Sequence, residues 1–144
     1  MFNKVLVPLD GSYAGEQALR VLREWLDCGR ITEAILARVE RPSLEVVMDY
    51  VLPAEQVVDA NERTIRDARR YLDEISRRID WKGVAHREIA LLGEPIPTLV
   101  RLAEREGVDL VLTAQQKGER AGRLQWVSGR VLRAFSVPVL ELIL

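Results

Sequence analysis

The sequence is poor in the residues from which metal centres and covalent active sites are built. Its 144 residues include one cysteine, Cys28, and one histidine, His86. A single cysteine excludes a disulfide framework and a cysteine metal site, which suits a reducing cytoplasm. A single histidine leaves no His-rich metal centre and no spare base for a Ser/His triad. We therefore expect no metal ion and no catalytic residue in this chain.

The sequence also lacks an excess of either charge and any long apolar run. Its formal net charge of -1 argues against a general nucleic-acid or membrane-surface binder. No apolar run approaches the roughly 20 residues of a membrane span, and no charged-then-apolar leader opens the chain. A content of 48% hydrophobic and 30% charged residues is typical of a globular protein. We expect one cytoplasmic domain, residues 1–144, with neither nucleic acid nor membrane as its partner.

Apolar runs and helical periodicities alternate along the chain. The strand-like runs are residues 4–9, 34–39, 84–91, 110–113 and 137–143. Helical patterns follow Ser12, cover residues 53–79, follow Gly93, and recur at Val127, Val131 and Ala134. Short apolar strands alternating with helices predict a parallel sheet with helices on both faces. Ligands of such sheets bind beyond the carboxyl ends of the strands, where the strand order reverses.

Local signals mark several element ends and leave one long connection open to two interpretations. Ser12 suits a helix N-cap, and Gly29 and Gly107 suit helix stops. His86 falls within a strand, where a lone histidine is usually structural. Residues 40–53 form a connection with an unusual apolar content, which favours a loop packed over the sheet edge. A lid or partner surface is the alternative.

Four blocks of sequence resemble the universal stress protein family. They are VLVPLDGS at 5–12, GEP at 93–95, GVDLVL at 107–112 and RVLRAFSVPVLEL at 130–142, in the order and spacing of the family. The resemblance covers essentially the whole chain. It implies an α/β fold, a parallel doubly wound sheet of five strands in the order 3-2-1-4-5, of the adenine-nucleotide alpha-hydrolase-like type. It also implies homodimers that pair their last strands, here Val139 to Ile143, whose short apolar edge invites another strand.

Many members of this family bind ATP or AMP between the first and fourth strands. Their signature after the fourth strand is Gly, two residues, Gly, nine residues, then Gly and Ser or Thr. Without gaps, these positions become Ala114, Lys117, Val127 and Ser128, so only the serine is retained. A register shifted by two residues puts Gln125-Trp126 in place of the Gly-Ser pair. Glycine permits positive φ and close approach of the backbone to phosphate, whereas valine resists both.

The first strand and its neighbour retain other family positions. Asp10 matches the aspartate that contacts the nucleotide, and Pro8 and Val39 match its neighbours around the base. Asp10 also has a structural interpretation, because an aspartate at such a turn can accept hydrogen bonds from loop N–H groups. Anion binding by a remodelled loop is the alternative. It would use the shifted Gly118 and Gly122 with the basic side chains of that loop, Lys117, Arg120, Arg123 and Arg130.

The resemblance and the altered signature together predict a non-catalytic dimer that acts in stress response or regulation. It would work through contacts with an unidentified protein partner, with its ATP pocket degraded. The alternative is an ATP- or AMP-binding sensor that uses a remodelled 115–128 loop. An enzyme is the third hypothesis, since related folds include ATP-pyrophosphatases with a Ser-Gly-Gly-x-Asp-Ser loop. This chain has only Asp10-Gly11-Ser12 there, and no motif supplies a general base.

Overall fold

The computed structural model describes residues 2–43, 46–47, 50–51, 53–116 and 134–144. Its elements in chain order are β1 (Phe2–Pro8), α1 (Tyr13–Glu16), α2 (Ala18–Asp27), β2 (Ile31–Glu40), β3 (Val46–Val47), β4 (Tyr50–Val51), α3 (Ala54–Arg77), β5 (Ala85–Leu92), α4 (Pro95–Glu106), β6 (Leu110–Gln115) and β7 (Val139–Ile143). Five strands form a parallel sheet in the order β5-β2-β1-β6-β7. Numbered within this sheet alone, that order is 3-2-1-4-5, so the predicted fold is confirmed.

Residues 5–8 of the central strand β1 are buried, as the near-continuous apolar run predicts. Val5, Val7 and Leu9 pack on one face with residues of α2 and α3. Leu6 packs on the opposite face with residues of α4. Helices therefore cover both faces of the sheet, and β1 is fixed between two hydrophobic clusters.

The first helical segment is interrupted, although the sequence pattern predicts one helix after Ser12. Ser12 is the N-cap as predicted, and its side chain accepts a hydrogen bond from the backbone N–H of Gly15. The N–H of Gln17 donates to the carbonyl of Ala14, three residues back rather than four. This tighter bond separates α1 from α2 while Gln17 itself keeps right-handed helical φ and ψ.

The connection after β2 contains an antiparallel pair of two-residue strands, β3 and β4, where an irregular loop is expected. The remaining residues of its apolar run lie outside the described residues, so the choice between a packed loop and a lid stays open. The helix predicted around Val127 and Val131 also lies outside them, apart from Ala134, which is in a turn.

The loops that flank α4 have their own glycine requirements. Gly107 is left-handed at φ 65° and caps the C-terminus of α4, as predicted. Gly93 has φ 154°, and a Cβ at this position would overlap the Oγ1 atom of Thr98.

No helix among the described residues is long and apolar enough to span a membrane.

Candidate functional site

A crevice is expected where β1 and β6 lie side by side. β1 pairs with β2 on one side and with β6 on the other, so the chain reverses its direction across the sheet at this point. The carboxyl ends of both strands are at the same edge because the strands are parallel. This edge is where open α/β sheets bind ligands.

The turn that follows β1 is held by its own side chains. The Asp10 Oδ1 atom accepts a hydrogen bond from the Ser12 N–H at 2.9 Å, and the Ser12 Oγ atom accepts one from the Gly15 N–H at 3.0 Å. Gly11 between them has φ 85°, a conformation that glycine adopts at little cost. Asp10 thus makes the structural contact that an aspartate at such a turn can make.

The other described family positions lie along the same edge of the sheet. Pro8 ends β1, and Val39 and Ala114 are each one residue before the ends of β2 and β6. All three are buried. Val39 belongs to the cluster under α4, whereas Ala114 belongs to the cluster under α2 and α3. Val39 and Ala114 therefore lie on either side of β1, with their side chains on opposite faces of the sheet. Lys117, Val127 and Ser128 lie outside the described residues, so their assignment as site residues stays a prediction.

An arginine next to this turn was missed by the sequence interpretation. The Nε atom of Arg38, on β2, donates to Glu40 Oε1 at 2.8 Å, with 18% and 7% of the two side chains exposed. The Arg38 guanidinium carbon lies 4.7 Å from the ring centroid of Tyr71 on α3. A Cβ on Gly11 would be 3.2 Å from one Arg38 terminal nitrogen. Arg38 thus connects β2, α3 and the turn after β1.

Tyr71 extends this network to α1. Its hydroxyl donates to Glu16 Oε1 at 2.6 Å. Burial, and then the hydrogen bond to Glu16, raise the pKa of Tyr71 well above its usual range. The phenol therefore stays a neutral donor at physiological pH. The only sequence signal for this network is the arginine that interrupts the apolar run AILARV.

A polar cavity of about 380 Å³ adjoins the network. It lies between the end of β2 and the middle of α3, and its lining residues are Arg38, Glu40, Arg41, Thr64, Asp67 and Ala68. Two arginines face two carboxylates, so the formal charges of the lining cancel. This balance gives the cavity no preference for a polyanion such as a triphosphate.

His86 has a structural environment. Its ring stacks on Trp81 with centroids 4.2 Å apart and an interplanar angle of 10°. Its Nδ1 atom lies 2.8 Å from Glu88 Oε1 and 3.4 Å from Ser76 Oγ. A Ser-His-acid relay needs the serine and the acid on different ring nitrogens, and here both are on one. The described residues also contain no group of three or more His, Cys, Asp or Glu side chains that could hold a metal ion.

These features define a doubly wound α/β protein whose strand order reverses between β1 and β6. A family model described as the universal stress protein family matches residues 1–141, and the chain belongs to that family. No curated protein sequence matches the chain significantly.

Several solved structures share the fold over almost the whole chain. A hypothetical protein, MJ0577, is 23% identical, with 100% of this chain and 97% of that chain covered and a TM-score of 0.76. A universal stress protein family member from Burkholderia pseudomallei is 25% identical, with coverages of 97% and 95% and a TM-score of 0.69. An AMP-bound member from Arabidopsis thaliana is 17% identical, with coverages of 98% and 90% and a TM-score of 0.61.

Proposed function

We propose that this protein is a non-catalytic universal stress protein that dimerises through β7, acts by protein contacts and does not bind a nucleotide such as the AMP in the Arabidopsis relative. The observation that carries the proposal is the replacement of the signature glycines by Ala114, Lys117 and Val127. In a phosphate loop, glycines let backbone N–H groups reach the phosphate oxygens, and side chains at these positions obstruct that approach. A cytoplasmic location is part of the same proposal.

The state of the turn after β1 supports the loss of the nucleotide. Asp10 Oδ1 already accepts a hydrogen bond from the Ser12 N–H, so the turn itself accounts for an aspartate at this position. The neighbouring Arg38 and Glu40 are bonded to one another. The polar side chains described at this edge therefore have structural partners without a ligand.

The outer edge of β7 supports dimerisation. The Leu144 N–H donates to the Gln115 carbonyl, and the Pro138 carbonyl accepts the Val111 N–H, so the even-numbered residues direct their backbone groups towards β6. The backbone N–H groups of Val139, Glu141 and Ile143 consequently face away from β6, because direction alternates along a strand. Within the described part of the chain, no strand lies on that side.

Exposed apolar side chains accompany this edge. Leu140, Ile143 and Leu144 are 44%, 58% and 44% exposed. A short strand with free N–H and C=O groups and exposed apolar side chains is a template for another strand. Antiparallel pairing with a second copy would join the two sheets into one and cover both the edge and these side chains.

The dimer is tested by substituting Ile143 in two ways. Ile143→Pro removes an N–H that faces the open edge and leaves the hydrogen bonds to β6 in place. Ile143→Val keeps the N–H and serves as the matched control. Sedimentation velocity should show a dimer for the native chain and for Ile143→Val, and a monomer for Ile143→Pro. A dimer that persists in Ile143→Pro would place the interface elsewhere.

The missing nucleotide is tested by thermal melting with excess ATP–Mg²⁺ and with AMP. A ligand that binds only the folded state adds about 2.7 kcal/mol at 100 times its Kd, which a melt detects readily. We expect no shift for the native chain. The triple variant Ala114→Gly, Lys117→Gly and Val127→Gly restores the signature and should gain a shift. A shift already present in the native chain would contradict the proposal.

A nucleotide sensor is the second candidate, favoured by the AMP bound to the Arabidopsis relative. It would use the basic side chains of the remodelled 115–128 loop in place of the glycines. Under this alternative the native chain binds ATP or AMP, and the double variant Lys117→Ala and Arg123→Ala loses binding. Unchanged affinity in the double variant would exclude this version of the pocket.

A further inference from the structure

Glu141 is the one charged residue in the strand β7, whose sequence is VLELI. It pairs in register with Thr113 of β6 and shares a sheet face with Val139, which packs in the cluster under α4. Its Oε1 atom is buried and has no hydrogen-bond partner among the residues that the structure describes. A buried carboxylate oxygen without a donor is costly when the group is ionised. An apolar residue would fit this strand better, so the glutamate requires an explanation.

The surroundings of Glu141 in the described residues are neutral. The β6 residues on the same face are Val111, Thr113 and Gln115. The segment before β7 contributes Phe135 and Val137 to the same apolar cluster. Among the described residues no charged neighbour contributes to the pKa of the Glu141 carboxyl, which burial raises. Burial therefore favours the protonated carboxyl more than water does.

A second copy paired with β7 would bring another Glu141 close to the first. Two β7 strands that pair in antiparallel orientation are related by a two-fold axis perpendicular to the sheet. Each residue of one strand then lies opposite a residue of the other strand whose side chain is on the same face of the sheet. Glu141 therefore faces Val139, Glu141 or Ile143 of the second copy, depending on the register. The two Glu141 Cβ atoms would be about 5 Å apart in the direct register and about 7–8 Å apart in the two diagonal ones. In each register two partly buried carboxyls become neighbours.

We propose that Glu141 makes the pairing of two copies through β7 depend on proton uptake, so that association is tight when one of the two carboxyls is protonated and weak when both are ionised. The inference rests on the β7 dimer proposed above. Two carboxyls that share a site cannot both ionise easily, so the dimer holds its proton to a higher pH than the single chain does. The dimer then binds more protons than two single chains. The dissociation constant therefore rises with pH, by up to about tenfold per pH unit for one linked proton.

Sedimentation equilibrium at pH 5 and pH 8 tests this linkage in the native chain and three variants. Glu141→Gln removes the charge and keeps the size, and Glu141→Val restores an apolar strand. Glu104→Gln, at an exposed position on α4, is the charge-matched control. The native chain and the control should both dissociate at least about tenfold more readily at pH 8 than at pH 5. Glu141→Gln and Glu141→Val should be tight dimers at both values.

The outcomes separate the inference from the proposed interface. A native dimer of equal strength at both pH values, or equal pH dependence in Glu141→Gln, would overturn the role of Glu141 and leave the interface standing. A Glu141→Gln dimer weaker than the native one at pH 8 would mean that the ionised carboxylate makes a favourable contact, which also overturns it. Monomers throughout, including Glu141→Val, would overturn the β7 interface and this inference with it.

Discussion

Replacing Arg38 by methionine is expected to destabilise the protein because it removes the guanidinium that is paired with the buried Glu40 carboxylate. Breaking a fully buried ion pair costs about 3–5 kcal/mol. The Arg38 and Glu40 side chains are 18% and 7% exposed, so solvent screening reduces this cost. The contact with the Tyr71 ring adds about 0.5–2 kcal/mol. We expect Arg38→Met to lower the free energy of unfolding by about 2–4 kcal/mol.

Arg41→Met is the matched control. Arg41 pairs with Glu94 at 3.3 Å, but these side chains are 57% and 66% exposed. Exposed pairs contribute about 0–1 kcal/mol, so this substitution should be nearly neutral. Adding Glu40→Gln to Arg38→Met should recover part of the loss, because an uncharged amide then replaces the buried carboxylate that had paired with Arg38.

Urea denaturation followed by circular dichroism measures these differences. All variants are compared at one protein concentration, because dimerisation contributes to the apparent stability. Equal effects of Arg38→Met and Arg41→Met would refute the structural role of the network. A stabilised Arg38→Met would instead mark Arg38 as a residue kept for binding a ligand at the cost of stability.

Three further predictions concern the turn, a loop and the charged surface. Asp10→Ala should lower the free energy of unfolding by about 1 kcal/mol in the absence of any ligand, whereas Asp10→Asn, which keeps the acceptor oxygen, should not. Equal stability of the two variants in urea denaturation would contradict the role of Asp10 in the turn. Gly93→Ala should lower the free energy of unfolding by about 2–4 kcal/mol, because the backbone at Gly93 has a positive φ and the added Cβ would overlap Thr98 of α4. Gly83→Ala is the control and should cost about 1 kcal/mol, because its Cβ would meet no atom within 4 Å. A hydrogen bond from Arg87 holds the pKa of Glu106 below its ordinary 4.5, so the stability from this pair is present above pH 4.5 and is lost as the pH falls through the lowered value. Arg87→Met should remove that part of the acid destabilisation in urea titrations from pH 6 to pH 2, and an unchanged pH profile would exclude it.

Features that depend on local chemistry could be predicted from the sequence. Residues 5–9, in and just after β1, are all apolar because helices cover both faces of the sheet there, and such a run marks a central parallel strand. Ser12 and Gly107 act within a few residues of themselves, so their caps follow from residue type alone. Residue type alone left Asp10 with two interpretations, because an aspartate that holds a turn and an aspartate that binds a ligand look alike in a sequence.

Features that depend on tertiary contacts could not be predicted. Glu16, Arg38 and Tyr71 are far apart in the sequence and meet only when α1, β2 and α3 pack together. The break at Gln17 arises from one shortened hydrogen bond that leaves its dihedral angles helical. In the sequence, Glu141 looks like an ordinary polar residue of an edge strand, and only the structure shows that its Oε1 atom is buried with no hydrogen-bond partner among the described residues.

Native mass spectrometry of the freshly purified protein at pH 5 tests the central claim most directly, because it determines oligomeric state and retained ligand together. The account predicts a species with the mass of two 16.4 kDa chains and nothing else bound. A dimer that carries one ATP or AMP on each chain would contradict the loss of the nucleotide site. A monomer at this pH would contradict the β7 interface.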